Sequence, residues 1–531
     1  MTKRNVLLIT VDQMRHDALG ATGNTVVSTP HLDRLAHEGV RYERAHVANV
    51  TCTPSRSSLL TGQYPRTHGS WGIGVPLPAQ APSIAEHLAT AAGYHTGLIG
   101  KAHFEPTWDP TLRFAENRIA AEGSSGPYRG FEYVAFAGHG GSDGHYARWL
   151  AAEHPEWSDA YLNLAARGSH PTRGFSEATG APDLVDNLIP TELHHTAWVT
   201  DEAIRFMDRQ PQGAGPWFLW VSYPDPHHPW DPPREQLKRV PWRQRPLPAF
   251  YPGSPEQAAQ ALKGKPAHWT GYWNGTFKNE CSRGDWSASR LTPEQLREIS
   301  AAVDVEVELI DDGVGRLLSN LKARGCDANT DIIFTSDHGE FQGEFGLLFK
   351  GPFHCDALMK VPLIWLPARS ARTAPSTVIQ TPVRMMDIAA TICTAAELDM
   401  PEWMEAVPLP LEEPETALAL LTEYDSPNSN VGLHLRTIHL NGYNCTVYEK
   451  TTIGDSGGNR IDIPGYTVGA PSPYHYRGDE GELYDLRNDP GELRNLWDSS
   501  GHREIRDELI HSLYAARPPR RGDWPSVEAP V

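Results

Sequence analysis

The residues that could do chemistry in this chain stand at the ends of short apolar runs or in turns that open helices. Foremost is Cys52-Thr53-Pro54-Ser55-Arg56, continuing as Ser57-Ser58-Leu59-Leu60-Thr61-Gly62. Thr53 is a natural N-cap and Pro54 suits a first helical position, so a short helix is predicted there, ending at Gly62. Cys52 then lies just outside a helix N-terminus, where backbone N–H groups and the helix dipole favour negative charge. Arg56 adds a permanent planar cation one turn along. A sulfur nucleophile beside an anion-binding helix end is one reading. A small buried hydrophobe before a capped helix is the other.

Further polar groups follow predicted strands. The run Asn5 to Val11 is continuously apolar, as in a strand buried on both faces, and it delivers Asp12-Gln13. Open α/β sheets place their ligands at such carboxyl ends, although a lone Asp there serves equally as a helix cap. Tyr94 to Gly100 reads as a strand leading to Lys101-Ala102-His103; residues two apart on a strand face one side. Trp217 to Ser222 leads to Asp225-Pro226-His227-His228-Pro229, where a proline-locked turn with incidental histidines is the plainer alternative. Asp331 to Ser336 leads to Asp337-His338-Gly339-Glu340, and Lys350 follows within Phe349-Lys350-Gly351-Pro352. Gathered in one place, these carboxylates, cations and imidazoles suit transfer of a tetrahedral oxyanion ester.

The elements that must gather them alternate between strand and helix. Helices are predicted from Thr29-Pro30, over Pro82 to Ala92, Thr200 to Gln210 and Met385 to Ala396, with another strand at Val361 to Leu366. Thr292-Pro293-Glu294-Gln295 is a capping box, and Leu296, Ile299, Val303, Val307, Ile310, Val314, Leu317 and Leu321 continue at helical spacing towards Gly325. Stretches at about 105–195 and 230–290 read as insertions; the second carries Trp230, Trp242, Trp269, Trp273 and Trp286, which suit packing beneath a long loop. From about residue 405 the pattern changes to a hairpin turning at Asn441-Gly442 and a closing helix to Ala516. The expected organisation is a domain over 1–405, a smaller one over 406–516 and a tail, 517–531, that could serve as a homo-oligomerisation arm.

Bulk properties narrow the class. The 531 residues exceed one simple core, and 39% apolar with 21% charged content suits a folded globular protein. The net charge of −19 argues against nucleic-acid binding, yet a local cluster of cations can still hold an anionic ester. No run has the length of a membrane span, and the scattered spacing of the six cysteines fits a reducing compartment, so a cytoplasmic protein without a membrane partner is expected.

The pattern C-x-P-S-R-x-x-L-x-T-G at Cys52 resembles the signature of the type I, formylglycine-dependent sulfatases of the alkaline phosphatase superfamily. Gly100-Lys101-Ala102-His103, Pro226-His227-His228-Pro229, Asp337-His338-Gly339 and Leu483-Tyr484-Asp485-Leu486-Arg487-Asn488-Asp489-Pro490 resemble further elements of that family, in its order. The resemblance implies an α/β fold with a large central, mostly parallel sheet flanked by helices and a smaller C-terminal α+β part with an antiparallel sheet. It implies that a formylglycine-generating enzyme converts Cys52 to Cα-formylglycine, whose hydrate attacks a small anionic sulfate monoester. Asp12, Gln13, Cys52, Asp337 and His338 would hold one divalent metal ion. Arg56, Lys101 and Lys350 would offset charge on the sulfate, His103 would act at the nucleophile, and His227 would protonate the leaving oxygen. Gln13 departs from the family's usual second Asp, and His338 brings a nitrogen ligand, so the metal is calcium or, by ligand type, manganese. Phosphonate monoester hydrolases and phosphodiesterases resemble the chain in the same Asp/Gln and Asp/His pattern. The expected activity is therefore arylsulfatase-like, with phosphonate monoester or phosphodiester hydrolysis as the alternative or as a second activity.

Overall fold

Asn5–Val11 forms strand β1, every residue of it buried. Its alternate side chains feed two cores: Val6 and Leu8 enter one, and Leu7, Ile9 and Val11 the other. A strand buried on both faces belongs in the middle of a helix-covered sheet, and β1 lies there in the computed structural model. The structure describes the chain except for residues 1–2, 108, 110, 139–143, 159–175, 177, 211–214, 280–281, 283–285, 372–376, 427–431, 452–473 and 520–531.

The remaining strands of the large sheet are β2 (Val40–His46), β3 (His95–Gly100), β4 (Tyr133–Phe136), β5 (Trp217–Tyr223), β6 (Thr330–Ser336), β7 (Lys360–Leu366), β8 (Thr377–Ile379) and β9 (Val383–Arg384). Their order is β4-β3-β5-β1-β6-β7-β2-β8, with β9 also on β2. The run β4-β3-β5-β1-β6 is parallel throughout, whereas β7 is antiparallel to both β6 and β2. A second, antiparallel sheet joins β10 (Leu420–Asp425), β11 (His434–Leu440), β12 (Tyr443–Tyr448) and β13 (Gly481–Asp485) in sequence order. The fold is thus the mixed, mostly parallel α/β sheet with a separate antiparallel sheet that the resemblance implied.

One face of the large sheet is covered by the helices Pro30–Glu38, His195–Arg209 and Pro293–Ala323. The last opens with the expected capping box on Thr292 and Gln295. On the other face Ile84, Leu88, Leu59, Leu60, Ile388 and Ile392 share a core with Tyr424, Leu435 and Tyr448 of the second sheet. Leu509 and Leu513, from the closing helix Arg503–Ala516, cover that sheet's remaining side. Arg517 is held by Glu423 at 2.6 Å and Glu449 at 2.9 Å. Most of the 517–531 tail lies outside the described residues.

Two local readings change. Residues 133–136, inside the stretch expected as an insertion, complete the edge of the large sheet against β3; their strand is too short for a pattern to reveal. At Cys52 the N-cap is Thr51, not Thr53, and Cys52 is itself the first residue of the helix Cys52–Thr61. Asn49 Oδ1 accepts from the Thr51 N–H and hydroxyl and turns the chain into the helix. Pro54 still falls in the first turn, where a missing N–H loses no bond, and Ser55 N–H to Thr51 O at 3.2 Å closes the first one. Gly62 ends the helix with φ +64, as expected.

Register carries directly into the site. Gly100 pairs with Ser222, at φ +98, and a Cβ there would lie 1.8 Å from the Ser222 carbonyl oxygen, which accepts the Lys101 N–H at 2.8 Å. Gly100→Ala is expected to force β3 from β5 and to cost about 3 kcal/mol of stability. Urea denaturation checks this, and an unchanged midpoint would contradict it.

Candidate active site

Four neighbouring parallel strands, β3, β5, β1 and β6, deliver polar residues at their carboxyl ends: Lys101, His227, Asp12 and Asp337. Adjacent strands lie about 5 Å apart, so side chains from such ends converge within one site's width. Cys52 meets them from the helix that follows β2, and Lys350 from the loop before β7. The structure brings together every residue singled out in the sequence.

Buried charge is compensated at short range. Arg56, with no exposed surface, donates Nε to Asp337 Oδ2 at 2.8 Å and lies 3.6 Å from Asp12 Oδ2. The same guanidinium bonds the Lys101 carbonyl at 2.9 Å and Ser222 Oγ at 2.7 Å. It is therefore a strut between the ends of β1, β3, β5 and β6, and its contacts run to the carboxylates. Lys101 Nζ pairs with Asp12 Oδ2. Lys350 Nζ reaches Gln13 Oε1 at 2.7 Å, His227 Nε2 at 3.0 Å, and both Cys52 Sγ and His338 Nε2 at 3.1 Å.

Around the thiol these cations decide ionisation. Burial pushes the Cys52 thiol up, but Lys101, Lys350 and His338, with a hydrogen bond from His103, outweigh it and hold its pKa well below the usual thiol value. Cys52 is thus poised as an anion centre. His103 does not share a strand face with Lys101: β3 ends at Gly100, and His103 has a left-handed backbone, φ +57. Both side chains nonetheless converge, Lys101 on Asp12 and His103 on the thiol.

The donor set fits a divalent cation. Asp12, Cys52, Asp337 and His338 place one ligand atom each within 4.8 Å of one another, all buried. The His338 Nδ1 atom lies 2.9 Å from the Gly339 carbonyl; with the proton of a neutral ring there, Nε2 would offer a cation its lone pair beside Asp12 Oδ1 at 3.6 Å and Asp337 Oδ1 at 3.7 Å. Gln13 has φ +65, and its amide nitrogen is taken by Glu340 Oε2 and by His228 Nδ1 at 3.0 Å. The amide oxygen must then point inward, as an oxygen ligand requires. Glu340 was not singled out in the sequence, and its place in Asp337-His338-Gly339-Glu340 was the available signal. Its other oxygen accepts the Gln342 and Phe349 N–H groups, tying Gln13 to the loop that carries Lys350. Gly339 permits this tight turn, since a Cβ there would lie 1.9 Å from the Ala357 carbonyl oxygen.

Aromatic packing steadies that loop. Trp230 stacks on Phe349 with centroids 5.8 Å apart, and Trp269 meets Phe341, Phe345 and Phe353 edge-on. Trp230 and Trp269 thus support the loop that carries Lys350, whereas Trp242 packs with Val240, Ala301, Val305 and Leu309. His227 presents Nε2 to Lys350 while its Nδ1 bonds the His228 carbonyl. At 8% exposure His227 is the most open of the residues singled out in the sequence for the site, against 0 to 2% for the rest. A cavity of about 190 Å³ adjoins Lys101 and His103 and is bounded by Asn117, Phe136 and Arg148.

Comparison with known proteins agrees with this geometry. The sulfatase family model matches residues 4–398. An arylsulfatase of Clostridium perfringens is 27% identical over 524 residues, covering 96% of this chain and 93% of its own. The multifunctional alkaline phosphatase superfamily protein PehA of Trinickia caryophylli is 30% identical over 376 residues, 68% of each chain. In three dimensions the chain is similar to the phosphonate monoester hydrolase of Agrobacterium radiobacter, with a TM-score of 0.73 and 25% identity over 97% of this chain and 96% of that one. With the strand order, the Cys52 helix and the matched length in agreement, this chain belongs to the sulfatase family of the alkaline phosphatase superfamily and is a sulfuric ester hydrolase.

Proposed function

We propose that the enzyme hydrolyses a small sulfate monoester, of aryl sulfate type, with a formylglycine derived from Cys52 as nucleophile. The observation that carries this reading is the Cys52 Sγ atom at a helix N-terminus, 3.1 Å from both Lys350 Nζ and His338 Nε2, with His103 beside it. The sulfur stands for the position of the oxygens of an aldehyde hydrate, so a formylglycine-generating enzyme is the required partner in maturation. The hydrate supplies two hydroxyls on one carbon, one to attack sulfur and one to expel the sulfate afterwards. Asp12, Gln13, the group derived from Cys52, Asp337 and His338 would hold a divalent metal, calcium or manganese, which would supply Lewis-acid charge there.

The chain's own residues do the rest. Arg56 pairs with Asp12 and Asp337 and holds both carboxylates in place. Lys101 and Lys350 offset charge on the non-bridging oxygens as it builds. His227 protonates the leaving oxygen, and His103 takes the proton of the second hydroxyl as the sulfate departs. The preference for sulfate draws on the Lys101 and His103 pair beside the nucleophile. Phosphonate monoester hydrolysis is the second reading, favoured by Gln13 in place of a second carboxylate and by the overall likeness to the Agrobacterium enzyme. Initial rates on matched aryl sulfate and aryl phosphonate monoesters decide between them, and a higher kcat/KM on the phosphonate would reverse the assignment.

Two variants and one mass test the mechanism. The Cys52 peptide is expected to have lost the elements of hydrogen sulfide and gained one oxygen atom, and an intact thiol in active enzyme would sink the route. Cys52→Ser is expected to give at most one covalent event per chain, because a serine ester has no second hydroxyl to expel the sulfate; steady turnover would contradict this. His227→Gln should lower kcat by about 100-fold or more for poor leaving groups and far less for nitrophenolate. A uniform loss across leaving groups would remove His227 from the acid role.

A further inference from the structure

His103 holds a backbone conformation that non-glycine residues adopt only when their surroundings impose it. Three successive amides impose it here. The N–H groups of His103, Phe104 and Glu105 all donate to the Glu116 carboxylate, at 3.1, 2.8 and 3.1 Å. Glu116 sits in the first turn of the helix Ala115–Glu122 and is buried. Its own N–H donates back to Glu105 Oε2 at 3.1 Å, so loop and helix hold each other through two carboxylates. The Tyr128 hydroxyl donates to Glu116 Oε1 at 2.8 Å, and Arg129 braces both Tyr128, at 3.0 Å, and Glu105, at 3.1 Å.

We infer that Glu116 is a positioning residue for the reaction: its ionised carboxylate, gripping the amides of residues 103–105, sets His103 against the Cys52 side chain. The inference rests on the proposed role of His103 at the nucleophile. Hydrogen bonds to an ionised carboxylate are about twice as strong as neutral ones, and a protonated carboxyl has less capacity to accept. Glu105, Tyr128, Arg129 and the three amides face Glu116, and Lys101, His103 and Arg148 line the cavity it borders. Burial, then the charge of Glu105, push its carboxyl up to about 7, against the pull of the Tyr128 hydroxyl, the Phe104 N–H and Arg129. Above that pH the carboxylate is ionised and the grip complete. Below it the carboxyl is neutral and the grip loosens, so kcat should fall on the acidic side of neutrality.

The test uses the full-length enzyme and two near-isosteric variants. Glu116→Gln turns an amide group towards the three donors; kcat is expected to fall about 100-fold with the acidic limb lost, and KM to stay within about two-fold. Hydrogen exchange in the peptide spanning residues 103–105 should quicken in the same variant. Tyr128→Phe removes a hydroxyl that favours the charged carboxylate, so the acidic limb should move to higher pH; this variant carries the test if Glu116→Gln does not fold. Unchanged exchange at 103–105, an unchanged kcat in Glu116→Gln, or an unmoved limb in Tyr128→Phe would each overturn the inference. Exchange needs no turnover, so a wild-type enzyme with a protected 103–105 segment and no ester hydrolysis would count against the proposed function alone.

Discussion

The structure depends on burying the carboxylates of Asp12 and Asp337 without leaving their charge unmatched. Neither has exposed surface, and an unpaired buried carboxylate costs several kcal/mol. Arg56 answers both, because one planar guanidinium reaches the ends of β1 and β6 and also ties the Lys101 carbonyl and Ser222. Lys101 pairs with the same Asp12, and Lys350 lies on Gln13 and His338. Lys101 and Lys350, which the proposed function sets against an oxyanion, thus also belong to the charge balance of the folded site.

That economy divides the site by function. Groups on strand ends are fixed by sheet register: Asp12 follows Val11, which pairs with both Tyr223 and Ser336, so three strand ends lie flush. Groups on loops are fixed by carboxylates that accept backbone N–H groups. Glu340 orients the Gln13 amide and anchors the Phe349 N–H, and Glu116 grips the loop of His103. Glu340 joins segments distant in sequence, whereas Glu116 joins a loop to the helix that follows it.

The strands, the long capped helix and the hairpin at Asn441-Gly442 were legible because each has a local cause: apolar continuity, a capping box, a turn that favours glycine. The site residues were legible because they follow such strands in short motifs. β2 escaped notice because Arg44 breaks the alternation of Val40-Arg41-Tyr42-Glu43, at the irregularity between Tyr42 and Ala45 in its pairing with β7. The Thr53 cap failed because an Asn two residues before Thr51 turned the chain earlier than any helix propensity would. Glu116 left no spacing signal, since it acts on backbone amides brought to it by the tertiary fold, and Glu340 left only its place beside Asp337-His338.

The burial of Cys52 also has a consequence in time. At 1% exposure the finished site offers no route for another protein to reach this side chain. The wall that closes over it includes β6, which begins at Thr330 and so emerges long after residue 52 during synthesis. At about 10 residues per second the interval is roughly half a minute. Any enzyme that acts on Cys52 must work within that window or on a chain held open. The order of synthesis, with the nucleophile early and its second carboxylate late, leaves the window open.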